Sequence, residues 1–349
     1  MKPILHCELG YFPNPHLNQI YAGFASLHNA GIINLEVKRV AADHTKPLLT
    51  VIVNKQYKLL YDTLDGFNWI PGSQQDNLLY FRTHFKVDLY FKRSFTPTLL
   101  DYCPENCTVF PLGFNYLIRP QRYFPARLTD VLKDFLKHST PLGKYCHRDL
   151  FYSRRYEYYP LPHKDTKILF LTRLWDPDQV TDEQLKNERE KINVTRAALI
   201  RACKQEFRDS FIGGLQQDPF AKQYAKELIA PARLTKKEHF LETIKQCNIC
   251  IATTGLHQST GWKFGEYVAA ARAIVSEPLK YQVPGNWREG NNYLEFNHLE
   301  ELMYRIHELI RNKMKMLHIM RNNYEYYLNY LRPDNLVLNT LTKIYLCDL

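Results

Sequence analysis

Cys247-Asn248-Ile249-Cys250-Ile251-Ala252-Thr253 leads, after one more threonine, into Gly255-Leu256-His257-Gln258-Ser259-Thr260-Gly261-Trp262-Lys263-Phe264-Gly265-Glu266-Tyr267. The first seven residues have the apolar, β-branched character of a strand buried in a parallel sheet, and apolar residues at helical spacing follow from Phe264. A strand, a loop of small residues and a helix in this order aim the loop's N–H groups, and the positive end of the helix dipole, at whatever lies above the sheet. That place suits an anion. Glu266, one carboxylate among small and apolar helix residues, needs either a basic neighbour or the paired hydroxyls of a ligand.

Outward from this segment the second half of the chain alternates strand and helix. Strands are predicted at residues 168–172, 210–214, 227–229, 249–253, 273–276 and 293–296, and helices at 182–207, 217–226, 235–246, 262–271 and 299–312. Repeated βα units imply a parallel, doubly wound sheet. Ligands of such sheets bind at the carboxyl ends of the strands, where Thr172-Arg173 and the Gly255 to Gly265 loop fall. Arg173 brings a fork of donors that matches a diphosphate, with a salt bridge to a neighbouring helix as the alternative. Lys263 puts a cation in the first turn of its helix, against the dipole, a mismatch that a bound anion removes.

The first half reads as mixed. Residues 17–30 are helical with Gly31 as the stop, 32–40 form a strand, and 48–53 with 57–61 form a hairpin about Asn54-Lys55-Gln56. Residues 78–85 and 89–92 read as further short strands, and 108–114 as a strand ending at Gly113. Between Arg119 and Asp165 the sequence is rich in Tyr, Arg, His and Pro, with a helix-like piece at 128–137, and is read as the crossing between domains. Arginines interleaved with aromatics there also leave base stacking open. Residues 316–330 and 333–346 read as two final helices.

A chain of 349 residues with 45% hydrophobic and 13% aromatic residues fills two cores. The net charge of +10 suits nucleic acid, an anionic membrane surface or phosphorylated substrates. The basic residues are spread out apart from short clusters such as Lys236-Lys237 and Lys313 to Lys315, so no basic arm stands out. No apolar run reaches about 18 residues and the start of the chain turns polar at once, so neither a spanning helix nor a signal peptide is expected and the protein is expected in the cytoplasm. Eight cysteines, several in apolar runs, fit reduced buried thiols. Cys247-x-x-Cys250 lies in a strand whose alternation sends the side chains apart, and Asp176-Pro177-Asp178 reads as a turn, so no metal site is expected.

Several segments together resemble the donor-binding domain of GT-B glycosyltransferases, in the retaining group related to glycogen synthase and bacterial polysaccharide enzymes (glycosyl transferases group 1). Leu171-Thr172-Arg173-Leu174 is similar to the family's Gly-Arg-Leu, with Thr172 for the glycine. Phe211-Ile212-Gly213-Gly214 resembles its glycine-bearing strand, and Leu234-Thr235-Lys236-Lys237-Glu238-His239-Phe240 its following loop and helix. Glu266-Tyr267-Val268-Ala269-Ala270-Ala271-Arg272-Ala273-Ile274-Val275 resembles the end of its Glu-x7-Glu element. Two features depart: Gln258 stands where the first glutamate is usual, and the lysine usual after the arginine is missing, with Asp178 in that region. The resemblance covers most of residues 164–312.

The resemblance implies an α/β protein of two Rossmann-like domains facing a central cleft. Residues 1–163 would be the acceptor side, 164–315 the nucleotide-sugar side, and 316–349 helices packing back on the first domain. It implies a metal-independent, retaining hexosyl or related sugar transferase with a nucleotide-diphospho sugar as co-substrate and a glycan, lipid-linked or small-molecule acceptor, in the cytoplasm or peripheral at the inner face of the membrane. Glu266 would hold the ribose hydroxyls, while Arg173 and the backbone of Thr260, Gly261 and Trp262 would hold the diphosphate. Leu234 would border the base. Lys263 or Arg196 would replace the missing lysine, and Gln258 and His257 would reach the sugar. In the first half, Phe81-Arg82-Thr83-His84 looks like a strand ending in a cleft histidine, so His84 is the acceptor-side candidate. Glu8-Leu9-Gly10-Tyr11 is the nearest remnant of a glycine-rich loop, and Lys92-Arg93 would face the diphosphate or an anionic acceptor. A sugar-nucleotide epimerase or hydrolase, and a noncatalytic nucleotide- or nucleic-acid-binding protein, remain alternatives.

Overall fold

The computed structural model describes residues 5–40, 46–119 and 152–346. The helix expected at 128–137 lies outside them. The chain forms two compact units, one of Met1–Arg155, Tyr281–Gly285 and Leu328–Leu349, the other of Tyr156–Lys280 and Asn286–Tyr327.

In the first unit six strands, β1 (Leu5–Tyr11), β2 (Ile33–Arg39), β3 (Leu48–Val53), β4 (Tyr57–Asp62), β5 (Leu89–Lys92) and β6 (Thr108–Pro111), lie in the order β2-β1-β3-β4-β5-β6. All neighbours are parallel except β3, which runs antiparallel to both β1 and β4. The hairpin that turns β3 into β4 was legible: Asn54 and Lys55 take left-handed φ of 54° and 58°, the backbone a tight hairpin demands. Glu8 to Tyr11 lie within β1, so they form no loop.

Residues 78–85 are not a strand. The helix Gln74–His84 covers most of them, opened by a capping box in which Ser73 and Asp76 bond each other's backbone N–H. Leu78 and Phe81, three apart, bury one face of it, and this helical spacing outweighs the short apolar run. Elsewhere in this unit the helix Pro333–Leu341 packs on Asn18–Asn29. A Cβ at Gly23 would stand 2.2 Å from the Pro333 carbonyl, so only glycine lets the two helices approach this closely.

The second unit holds a fully parallel sheet of β7 (Ile168–Thr172), β8 (Phe211–Leu215), β9 (Ile249–Ala252), β10 (Ala273–Ser276) and β11 (Leu294–Glu295), in the order β11-β10-β9-β7-β8. The chain therefore leaves β7 to one side for β8 and returns on its other side for β9, which makes the carboxyl ends of β7 and β9 the topological switch point of the sheet. The inner strands β7, β9 and β10 are buried along their length, as a sheet covered on both faces requires. Helices Glu183–Phe207, Leu299–Arg311 and Lys313–Tyr326 supply much of that cover. Lys313–Tyr326 thus packs on β10 and the helix Trp262–Ala269 in this unit.

Two elements differ from expectation. Residues 227–229 are not a strand but a 3-10 turn, Lys226–Leu228, followed by a single bridge from Ile229 to Leu215. The single helix expected at 235–246 is two, Ala232–Thr235 and Lys237–Gln246, broken where Lys236 takes an extended ψ of 132°. The break makes Lys237 the first residue of a helix.

Candidate anion and hydroxyl site of the second unit

At the switch point the strand ends are tied by one side chain. Arg196, on Glu183–Phe207 and 6% exposed, donates from Nε to Thr253 Oγ1 (3.1 Å), from Nη1 to the Arg173 carbonyl (2.7 Å) and from Nη2 to the Thr254 carbonyl (3.0 Å). Its guanidinium joins the residues just past β7 to those just past β9. Burial pushes its pKa down to about 10, with Glu277 acting the other way. Thr254 in turn gives both its N–H and its hydroxyl to Glu277 Oε2, at 2.7 and 2.9 Å. On the β7 side, buried Asn193 bonds both the N–H and the carbonyl of Trp175, at 2.9 and 2.7 Å. The exposed Arg173 side chain lies over the Trp175 ring, its Cζ 3.7 Å from the centroid.

Past β9, Gly255 and Ser259 close a small loop through Gly255 N–H to Ser259 carbonyl, 2.8 Å. Inside it His257 and Gln258 are exposed and both left-handed, with φ of 58° and 55°. Neither is glycine, so each holds local strain of about 1–3 kcal/mol, the kind that collects at functional loops. Gly261 caps the helix Trp262–Ala269 with no side-chain bond, and no acidic residue sits in the first turn. The positive helix end is therefore not neutralised by a carboxylate there.

Lys263, in that first turn, reaches back over the sheet and donates from Nζ to the Leu171 carbonyl of β7 at 2.5 Å. Burial pushes its pKa down to about 8; Glu266 opposes this, and the positive charges of Arg196, Lys237 and Arg173 add to it. Three further cations thus act on Lys263 at this end of the sheet.

Carboxylates stand among them: Glu277 acts on Arg196, Asp218 on Arg173 and Glu266 on Lys263. Glu266 is 3% exposed and takes Lys237 Nζ on Oε1 at 2.5 Å. Oε2 is buried and, among the described residues, has no hydrogen-bond partner. A carboxylate oxygen withdrawn from water with no donor is costly, and a hydroxyl donor placed there relieves it. Beside four cations, the arrangement fits a ligand that carries both negative charge and hydroxyls.

Of the residues singled out in the sequence, Arg173, Arg196, Thr260, Gly261, Trp262, Lys263 and Glu266 lie on the elements that form this end of the sheet. His257 and Gln258 sit on the loop just before it. Leu234 is half-buried on Ala232–Thr235, the short helix before Lys237. Lys237 and the Thr254–Glu277 pair escaped the sequence reading. Lys237 left one signal, a cation at a helix start, where the dipole disfavours it.

His84 lies elsewhere. It is exposed at the end of Gln74–His84, stacked on Tyr80 with ring centroids 4.2 Å apart, and the chain passes from it into the amino end of β5. The carboxyl end of that strand holds Lys92, which is not available to a diphosphate: it is fully buried and paired with Asp62 Oδ1 at 3.0 Å. Arg93 is paired with Asp65. Histidine reaches this end of the sheet through His16, after β1, whose pKa is lowered by burial and by Arg93, with Asp65 opposing. Asn115, after β6, is buried, and among the described residues neither of its amide atoms has a partner.

No family model matches the chain, and no curated protein matches its sequence. Among solved structures it is similar to Anabaena HepE in complex with UDP and glucose, with a TM-score of 0.45 and 13% identity over 97% of each chain. It is similar also to the C-terminal domain of LpcC, a group 1 family glycosyl transferase from Francisella tularensis, with a TM-score of 0.35 and 12% identity over 51% of this chain and 97% of that one. A third is WaaG, a glycosyltransferase involved in lipopolysaccharide biosynthesis, with a TM-score of 0.34 and 10% identity over 73% of this chain and 90% of that one. Among the described residues no helix is long and apolar enough to cross a membrane.

Proposed function

We propose that this chain is a GT-B glycosyltransferase that moves a sugar from a nucleotide-diphospho sugar to an acceptor hydroxyl. The observation that carries the reading is Glu266 Oε2, a buried carboxylate oxygen without a donor, set among Arg173, Arg196, Lys237 and Lys263 at the switch point of a parallel sheet. A nucleoside diphosphate answers both needs, with ribose hydroxyls for the carboxylate and a diphosphate for the cations.

In this reading Glu266 Oε2 accepts a ribose hydroxyl. Arg173 leaves the Trp175 ring for the diphosphate, which also meets the start of the helix at Gly261 and Trp262, Thr260 beside it, and Lys263. Arg196 acts on backbone atoms, as the staple that sets the spacing of the two strand ends. Leu234 borders the base, and His257 and Gln258 reach the sugar from their strained loop. As the bond between the anomeric carbon and the diphosphate oxygen breaks, its electron pair passes to the diphosphate, whose growing charge these groups stabilise. The acceptor oxygen bonds to the anomeric carbon as its proton passes to the departing diphosphate oxygen. The leaving charge is met by side-chain cations and a helix end, so the reaction proceeds without a divalent ion and withstands a chelator.

On the acceptor side we place His16, Arg93 and Asn115, at the carboxyl ends of the first unit's strands. A net charge of +10 favours acceptors that carry phosphate, glycans on lipid carriers included. The test is nucleoside diphosphate release from UDP-, GDP- and dTDP-sugars, with and without candidate acceptors. Release that depends on an acceptor supports the reading. Equal release without one points to a hydrolase, and no binding of any sugar nucleotide overturns the assignment.

A further inference from the structure

Lys237 stands where helix electrostatics disfavours a cation, at the first position of Lys237–Gln246, with no side-chain cap bond at that end. Its ammonium is held in place by three groups. Glu266 Oε1 is 2.5 Å away, and the ring centroids of Tyr156 and Phe240 lie 4.7 and 5.4 Å away, both rings buried. Such a seat, part apolar and part ionic, fixes the lysine and through it the carboxylate. One oxygen of Glu266 is thereby engaged and the other, unpartnered and buried, is the one left for a ligand.

We infer that Lys237 is a positioning residue that turns Glu266 so that Oε2 reads a ribose hydroxyl, and that this pairing is what makes the site select a nucleoside diphosphate over a bare diphosphate. The inference rests on the nucleotide reading above. In it Lys237 does not touch the phosphates, because its charge is spent on Glu266; anion affinity comes from Arg173, Lys263 and the helix end. Removing Lys237 therefore leaves anion binding in place and releases the carboxylate, which then turns away, and the hydroxyl contact goes with it.

Calorimetric titration with UDP and with inorganic pyrophosphate separates the possibilities. In the wild type UDP binds more tightly than pyrophosphate. In Lys237→Met the UDP dissociation constant rises about tenfold, the size of one hydrogen bond to a charged group, while that for pyrophosphate changes less than about twofold. Lys237→Arg, which keeps the charge on the same rings, restores most of the selectivity. Glu266→Gln loses the same selectivity, and the double variant loses no more than either single one, as expected of two residues acting as a unit. Equal weakening of UDP and pyrophosphate in Lys237→Met makes Lys237 a direct phosphate ligand and overturns the inference, as does unchanged UDP binding. Unchanged selectivity in Glu266→Gln is a different failure, since it removes the nucleotide reading itself. Lys237→Gln, smaller and polar, stands in if the methionine variant does not fold.

Discussion

The two units each bury a carboxylate beside a lysine, and the two pairs differ in completeness. Asp62 is fully buried and both its oxygens are used: Oδ1 accepts Leu64 N–H at 2.8 Å and Lys92 Nζ at 3.0 Å, Oδ2 accepts Trp69 Nε1 at 2.6 Å and the Tyr90 hydroxyl. Lys92 in turn gives a second bond to the Leu64 carbonyl at 2.9 Å, and burial lowers its pKa with Asp62 opposing. Glu266 has one donor where Asp62 has four. A satisfied buried network belongs to the fold, because nothing in it waits for a partner; a half-satisfied one is costly unless a ligand completes it. The same residue types thus serve architecture in one sheet and recognition in the other, and the count of donors tells them apart.

Breaking the complete pair has the largest effect. Lys92→Met leaves Asp62 buried and short of its cation, and the unfolding free energy falls by about 3–5 kcal/mol in a denaturant titration. UDP binding to whatever remains folded is unchanged. Glu266→Gln reverses this pattern. UDP binding weakens by roughly 1.5–3 kcal/mol, about tenfold to a hundredfold, while stability changes by less than in Lys92→Met.

The pH dependence comes next. Lys263 is a cation whose folded pKa is pushed down to about 8, so its charge is present below that pH and lost above it. The second ionisation of a phosphate group lies near 6 and is about nine-tenths complete by pH 7. UDP affinity therefore falls by about tenfold from pH 7 to pH 9, and Lys263→Met binds more weakly at pH 7 and loses most of that dependence. The unliganded fold moves the other way. Lys263 binds fewer protons folded than unfolded between about pH 8 and its ordinary value of 10.5, so its contribution to stability rises with pH in that window.

The smallest effect on stability is at Gly261. A side chain there meets open space, and Gly261→Asp supplies the missing cap, raising stability by a few tenths of a kcal/mol while its negative charge opposes UDP. Stability and binding moving in opposite directions is the mark of the recognition pair's surroundings.

The second unit was the more legible in sequence because its strands are buried runs separated by helices, a pattern that period and length settle together. The boundaries of β7 and β10 came out as read. The first unit yielded less. Its apolar run at 78–85 is short enough to suit either period, and the capping box at Ser73 was the local signal that decides for helix. At this end of the sheet, Arg173, Lys263 and Glu266 stand out in the sequence because each breaks a local rule: a fork at a strand end, a cation at a helix start, a carboxylate among small and apolar helix residues. Lys237 was hidden because its partner is 29 positions away, and the bond depends on the helix break at Lys236, which propensity alone does not show. Lys92 misled for the same reason. Its partner Asp62 lies 30 positions back, and a basic pair at a strand end reads as a site until that carboxylate is seen.

UDP titration of the wild type and Glu266→Ala by calorimetry at low salt, with melting curves of both proteins alongside, shows whether the half-paired Glu266 marks a nucleotide-sugar site. Saturable UDP binding in the wild type, lost at least tenfold in a variant that still melts cooperatively, is the result expected. Equal UDP affinity in the two proteins contradicts the account.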